Sequence, residues 1–265
     1  DHYQDGELNK KSQTDYKDGL ISKKNYWIKH ARDLNNRIDG IGGFKKDAHK
    51  LIVMKFDLLL LYMIAYDYDE KLKLIMNILP SERNWNSIYQ DVTTLINQLE
   101  NYNKTIDASN KFKNYIMIFI GILLQLKGII HKRVNSILQK VIELYIKKKS
   151  NQNNEVTNEL NNKIIELQQQ LINNWSSIIT NFAKAQNYLD SLQILIKLFP
   201  NTWQKRKSKI QPPTTKLKNS FVPNNDSYYL PINSYSDLNE ISGFMYNIIK
   251  EFNETFMTEN SYKLI

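Results

Sequence analysis

Residues 108–149 read ASNKFKNYIMIFIGILLQLKGIIHKRVNSILQKVIELYIKKK and form the most apolar segment of the chain. From Phe112 to Leu144, apolar side chains recur every three or four residues, which predicts one long amphipathic helix. Its most apolar run, residues 115–126, is shorter than the about 20 residues that a membrane span needs. We therefore predict that this helix is buried in the core of the protein.

Two glycines, Gly121 and Gly128, lie inside this helical pattern. A glycine within a helix costs about 1 kcal/mol relative to alanine, so each of them needs a reason. The interpretation that we favour is the close approach of a neighbouring helix, for which only a hydrogen side chain leaves room. A functional hinge is the alternative.

The same periodicity predicts helices on both sides of this segment. Their approximate bounds are 23–39, 44–79, 84–102, 155–199 and 236–258. The chain has 265 residues but only 8 glycines and 6 prolines, which leaves too few turns for a β-sandwich or a barrel. The predicted fold is all-α, with antiparallel helical hairpins in a TPR-like bundle of long helices.

Changes in polarity divide the chain into four predicted regions. Residues 1–22 are polar and aperiodic, and we expect a flexible lead-in there. Residues 23–200 hold the helical domain, and residues 201–235, with a basic run and two adjacent prolines, are expected to form an extended linker. Residues 236–265 are expected to hold a last apolar helix that docks on the bundle or on a partner.

Side chains that carry catalysis or bind metals are sparse. Cysteine is absent and none of the four histidines lies four residues from another, so we predict no metal site and no cofactor. Asp67, Asp69 and Glu70 form a group of carboxylates that we interpret as a solvated turn at a helix break. No catalytic residue is assigned, and we predict that the protein is not an enzyme.

The net charge of the chain is +9, which favours contact with nucleic acids or with acidic protein surfaces. The candidate nucleic-acid contacts are Lys147, Lys148, Lys149, Lys205, Arg206, Lys207 and Lys209. No helix-turn-helix, zinc-finger or RRM signature accompanies them, so their phosphate contacts would be sensitive to salt and weakly selective for sequence. An exposed linker is the alternative interpretation of the second group.

The predicted helix 155–199 carries apolar residues at nearly heptad spacing. This seam either packs inside the same chain or serves as a surface for a partner helix, and the last predicted helix has a similarly wide apolar face. The candidate interface residues are Leu171, Trp175, Ile178, Phe182, Leu189, Phe244 and Phe252. Trp175 and Phe182 are the candidate anchors, because large aromatic side chains dominate the energetics of interfaces.

Several stretches, taken in order, match a pattern of one protein family. They are Tyr26-Trp27 with Ala31 and Leu34, Gly42-Gly43-Phe44, Ser87-Ile88-Tyr89 with Asp91-Val92 and Leu95-Ile96, the leucine-rich and then basic residues 123–147, and Ser177-Ile178-Ile179-Thr180-Asn181. In this order the chain resembles the C-terminal homology domain of the AFF family, the scaffold proteins of the super elongation complex. The resemblance covers about residues 23–200.

This resemblance implies a function without catalysis. AFF proteins gather an elongation kinase and elongation factors, and their C-terminal domain is helical, TPR-like and mediates homo- or heterodimerisation. The resemblance thus implies a nuclear transcription regulator whose partners are a second copy or a related chain and other transcription-complex subunits. It extends to contact with RNA or DNA.

Overall fold

The structure is a computed structural model that describes residues 2–151, 153–207, 228–256 and 262–264, with side chains from residue 10 onward. Its helices are α1 (His2–Asp39), α2 (Phe44–Ile75), α3 (Arg83–Thr105), α4 (Phe112–Lys149), α5 (Asn154–Leu189), α6 (Leu192–Leu198), α7 (Pro200–Gln204) and α8 (Leu238–Thr255). No strand occurs in these ranges. The prediction of an all-α bundle of long helices is confirmed.

Helix α4 lies at the centre of the bundle and packs against α3, α5 and α8. By length and composition it is apolar enough to cross a membrane, but 78% of its most apolar window is buried inside the structure. The side chains of Phe119, Leu123 and Ile130 are fully shielded from solvent. The predicted core helix is therefore confirmed, although it begins at Phe112 rather than at residue 108.

Helix α1 begins at His2, so the predicted flexible lead-in and the predicted helix start at residue 23 are wrong. The helix packs on α2 through Leu20, Ala31 and Leu34, all of which are buried. The residues that precede Leu20 contain no proline, the residue that disfavours a helix most strongly. Once the packed part has nucleated a helix, adding these residues to it costs little free energy.

Charged side chains join α1, α2 and α4 on one side of the bundle. Arg133 Nη2 lies 2.8 Å from Asp67 Oδ1, and Arg133 Nε lies 3.1 Å from Glu70 Oε2. Lys24 of α1 lies 2.7 Å from Asp69. Asp67 and Asp69 are only 5% and 6% exposed, and α2 continues without a break past both of them to Ile75. The predicted solvated turn is therefore wrong, because these carboxylates are buried with cations from other helices.

The region predicted as an extended linker, residues 201–235, is largely packed into the fold where it is described. Glu251 of α8 accepts hydrogen bonds from the backbone N–H groups of Asn201 and Thr202 at the start of α7. Tyr228 is fully buried, and its hydroxyl donates to Thr202 O at 2.7 Å. The prediction of a linker is thus wrong for these parts, and residues 208–227 lie outside the described residues.

Helix α8 docks on the bundle, where it packs against α2, α4 and α7. This settles one of the two alternatives left open for the last predicted helix. Beyond α8, the Tyr262 hydroxyl donates to Asp57 Oδ2 of α2 at 2.5 Å, and the Arg37 guanidinium lies 5.2 Å from the centre of the Tyr262 ring. Burial raises the pKa of Tyr262, so its hydroxyl keeps the proton that it donates.

The predicted helix 155–199 is interrupted near its end. Helix α5 ends at Leu189, and Asp190 and Ser191 separate it from the short helix α6. Pro200 then occupies the first turn of α7, where its missing N–H costs nothing. Asp190 keeps helical backbone angles, and the extended backbone of Ser191 interrupts the helix before α6.

Candidate interaction surface

The inner face of α5 packs antiparallel against α4. This face consists of Leu160, Ile164, Ile178, Phe182, Ala185 and Leu189. A Cβ atom at Gly128 would lie 2.6 Å from Phe182 Cε2, and one at Gly121 would lie 2.5 Å from Leu189 Cγ. The two helices therefore approach this closely because α4 has glycine at both positions. The predicted reason for the two glycines is confirmed.

The outer face of α5 carries a second apolar stripe, formed by Ile165, Ile172, Trp175 and Ile179. The three isoleucines follow each other at intervals of seven residues and are 61%, 60% and 69% exposed. Trp175 is 41% exposed and occupies the intermediate heptad position between Ile172 and Ile179. Seven-residue spacing of large apolar side chains is typical of a surface that packs against another helix.

From Leu167 to Ala183, the outer face is also free of charge. No Asp, Glu, Lys or Arg occurs from Leu167 to Ala183, although 24% of the whole chain is charged. Glutamine, asparagine and hydroxyl side chains surround the isoleucines instead. Two copies of such a face meet without like-charge repulsion, even though the net charge of each chain is +9.

Three residues predicted for a partner interface are buried inside this chain. Ile178, Phe244 and Phe252 are at most 2% exposed, so the prediction that they contact a partner is wrong. Successive residues of a helix point about 100° apart, and Ile178 faces α4 whereas its neighbour Ile179 faces solvent. The heptad pattern in the sequence contained both stripes, and the predicted residues of α5 other than Trp175 followed the inner one.

The other four predicted interface residues lie at different depths. Phe182 and Leu189 fill the space beside the two glycines of α4 and are only partly exposed. Leu171 is half-buried, and Trp175 is exposed on the outer face. Sequence reasoning missed Ile165, Ile172 and Ile179, although their strict seven-residue spacing is a signal that the sequence contains.

A polar cluster fixes α5 against α3 and α4. Ser177 Oγ lies 3.0 Å from His131 Nδ1 and 3.2 Å from the Tyr89 hydroxyl, and Asn181 Nδ2 donates to it at 3.2 Å. The rings of Tyr89 and His131 stack with their centres 3.8 Å apart. A serine hydroxyl has one donor and two acceptor positions, so these contacts occupy Ser177 fully. We interpret the cluster as one that positions helices.

The electrostatics of this cluster favour a neutral histidine. Burial, and then the positive charge of Lys127, lower the pKa of His131 from 6.5 to about 4. Burial raises the pKa of Tyr89, but hydrogen bonds with Ser177 and Asn181 and the charge of Lys127 outweigh burial and lower it. Among the described residues, no group of His, Asp and Glu side chains has an arrangement that could hold a metal ion.

The two basic groups predicted to contact nucleic acid do not come together. Lys147–Lys149 form the last turn of α4, where Lys147 and Lys148 are exposed. The second group follows α7, and Phe199 beside α7 packs against Tyr115 near the start of α4. The length of α4 therefore separates them. Lys209 lies outside the described residues.

The described members of the second group are held within the fold. Lys205 Nζ donates to Asn247 Oδ1 at 3.3 Å, and the Arg206 guanidinium lies 3.7 Å from the centre of the Trp203 ring. The backbone N–H of Lys207 donates to a carbonyl of the packed segment before α8. These contacts give the three residues a role in docking α7.

Comparisons of the chain with models of known protein families, with curated proteins and with solved structures found no match. The resemblance to the AFF family therefore stays a prediction from the sequence. What the outer face of α5 does is argued below from its own shape and chemistry.

Proposed function

We propose that this protein is a non-catalytic helical scaffold that associates with a second copy of itself through the outer face of α5. The observation that carries the proposal is the stripe of Ile165, Ile172 and Ile179, which is exposed on the side of α5 opposite its contact with α4. Large apolar side chains grouped on a surface mark sites of protein association. A helix of 36 residues is about 54 Å long, so the face offers an extended contact.

A second copy is the favoured partner because two copies of the outer face of α5 can pack against each other. In an antiparallel contact with its two-fold axis at Ile172, Ile165 of one copy lies opposite Ile179 of the other. The two isoleucine side chains at each such crossing are then shielded from water, and the charge-free stretch from Leu167 to Ala183 lies at the contact. Such an isologous contact is the commonest arrangement among soluble oligomers.

The resemblance to the AFF family agrees with this proposal, because the matching domain of that family dimerises. On that resemblance we further propose a nuclear role in transcription elongation, with other transcription-complex subunits as partners. The support for this finer proposal is the order of the matching stretches over about residues 23–200.

The experiment is the absolute mass in solution, measured by light scattering for the wild type and for Ile172→Gln. We expect a mass near twice 31.3 kDa for the wild type. It should persist in about 1 M salt, where charges are screened beyond about 3 Å. We expect Ile172→Gln to shift the mass toward that of the monomer.

The matched control is Ile146→Gln, because Ile146 is a 51% exposed isoleucine on the outer side of α4. This variant should keep the wild-type mass. A monomeric wild type at every concentration tested would overturn the proposal. So would a dimer that Ile172→Gln leaves intact, since the contact would then lie elsewhere.

Nucleic-acid binding is the second candidate function, and Lys147–Lys149 are the observation that favours it. Three lysines in one exposed turn form a local positive charge that suits phosphate contacts. This function predicts binding of RNA or DNA at about 50 mM salt that weakens steeply as salt rises. Replacing the three lysines with glutamine should abolish the binding, and glutamine at Lys10, Lys11 and Lys17 should not.

A further inference from the structure

A cavity of about 430 Å³ lies beside the break between α5 and α6. Its walls come from α4, the end of α5, α6, α8 and the packed segment of residues 230–233. The apolar part of the lining includes Ile118, Leu195, Leu230 and Phe244. Both its volume and its apolar walls are those of small-molecule sites, which span about 300–1,000 Å³.

One buried hydrogen-bond acceptor in this lining has no partner. Gln125 of α4 is 8% exposed, and its Nε2 donates to Ile232 O at 3.2 Å. Its Oε1 has no hydrogen-bond partner among the described residues. A buried acceptor left without a donor is unfavourable in the folded protein. A ligand that brings a donor to Gln125 would therefore satisfy it.

The charges around the cavity determine whether it favours a positively or a negatively charged ligand. Asp190 lines it, and the lining contains no lysine, arginine or histidine, although the net charge of the chain is +9. The cavity adjoins both the C-terminal end of α5 and the N-terminal end of α6, whose opposite poles offset each other, so the carboxylate of Asp190 decides the preferred charge. These features favour a cation and disfavour an anion.

We propose that this cavity binds a small lipophilic amine, whose apolar body lies between α4 and α8 and whose ammonium group is held by acceptors at the break. The ammonium group pairs with Asp190, and a second donor on the ligand satisfies Gln125 Oε1. The cavity shares no residue with the outer face of α5, so this proposal is independent of the proposed function.

Three indoles with closely similar skeletons test the proposal by calorimetry: tryptamine is cationic, tryptophol is neutral and indole-3-acetate is anionic. We expect tryptamine to bind to the full chain about fivefold more tightly than tryptophol, because it adds one exposed ion pair. Indole-3-acetate should bind more weakly than both. Equal affinities for the three compounds, or no binding of tryptamine at millimolar concentration, would overturn the proposal.

Two variants test the contributions of Asp190 and Gln125 separately. Asp190→Asn should reduce the affinity for tryptamine toward that for tryptophol. The matched control is Asp18→Asn at an exposed position of α1, which should change neither affinity. Gln125→Leu keeps the side-chain volume but removes the acceptor, so it should weaken tryptamine and tryptophol alike. A circular-dichroism spectrum checks that each variant is folded, and unchanged affinity in both Asp190→Asn and Gln125→Leu would contradict the assignment.

Discussion

The two faces of α5 are both apolar and both follow a heptad pattern, but only the inner face packs against another helix. The inner face meets α4 at Gly121 and Gly128, where the absence of a Cβ lets Phe182 and Leu189 approach the α4 backbone. The outer face presents Ile165, Ile172 and Ile179 to solvent. Periodicity thus indicates that a helix has packing surfaces, and small residues on the neighbouring helix decide which of them is used.

The comparison predicts that added volume at the inner face of α5 lowers the free energy of unfolding. Gly121→Ala places a Cβ 2.5 Å from Leu189 Cγ and 3.0 Å from Tyr188 Cβ, atoms close to the α5 backbone that cannot swing away. Overpacking of this kind costs about 1–3 kcal/mol, and the better helix propensity of alanine returns at most about 1 kcal/mol. Urea unfolding should therefore show a clear loss.

Gly128→Ala should cost less than Gly121→Ala, because the Phe182 ring that it meets is partly exposed and can rotate outward. The control is Gly19→Ala in α1, where a Cβ has nothing within 4 Å. That variant should stabilise the protein by about 0.5–1 kcal/mol. If Gly121→Ala also stabilised the chain, the close approach of α5 would be disproved.

Removing volume sharpens the same comparison. Phe182→Ala empties the space beside Gly128 and should cost about 2 kcal/mol, less than a fully buried phenylalanine because its ring is partly exposed. Trp175→Ala removes a larger but 41% exposed side chain of the outer face. Measured on the monomer, it should cost less than Phe182→Ala despite its size. The reverse order of the two losses would mean that Trp175 is packed within the chain.

Much of the fold follows from the sequence because long helices need only local information. The apolar periodicity predicted α4 as the core helix, and two glycines inside it predicted a close neighbour. The burial of Asp67 could not be predicted, because it depends on Arg133, which lies 66 residues further along the chain. The break between α5 and α6 contains no glycine or proline, so the sequence pattern did not indicate that the helix ends there.

Of the predicted interface residues, only Trp175 lies on the outer face of α5, and Ile178 lies on the inner face. Ile178 and Ile179 are equivalent in any hydrophobicity pattern, and only the position of α4 distinguishes them. The lining of the cavity combines residues from distant parts of the chain, such as Gln125 and Ile232. No local motif in the sequence brings these residues together.

The polar part of the inner face should make stability depend on pH. The pKa of His131 falls from 6.5 to about 4 on folding, so the unfolded chain binds a proton at pH 5 and the folded chain does not. This contribution is complete above about pH 6.5 and is lost as pH falls toward 4. Because His131 is partly exposed, the loss should be about 1–2 kcal/mol.

The measurement is the free energy of unfolding at pH 7 and pH 4.5 for the wild type and for His131→Gln. Glutamine can still hydrogen-bond Ser177 but does not titrate in this range. Carboxylates such as Asp69 titrate in both proteins, so the difference between the two pH dependences isolates His131. Equal pH dependences would show that burial and the charge of Lys127 do not keep His131 neutral.

The smallest effect is expected on the outer face. Ile179 is 69% exposed, so Ile179→Gln should change the free energy of unfolding by less than about 0.5 kcal/mol when the protein is dilute and monomeric. The adjacent variant Ile178→Gln places an amide where the side chain is 2% exposed, and it should cost about 3 kcal/mol.

The dependence of stability on protein concentration then tests whether the outer face of α5 is an interface. Association with a second copy stabilises the folded chain by mass action, so the wild type should become more stable as its concentration rises. Ile179→Gln should lose that dependence while keeping the stability of the dilute wild type. A wild-type free energy of unfolding that does not change with protein concentration would contradict the association of two copies through the outer face of α5.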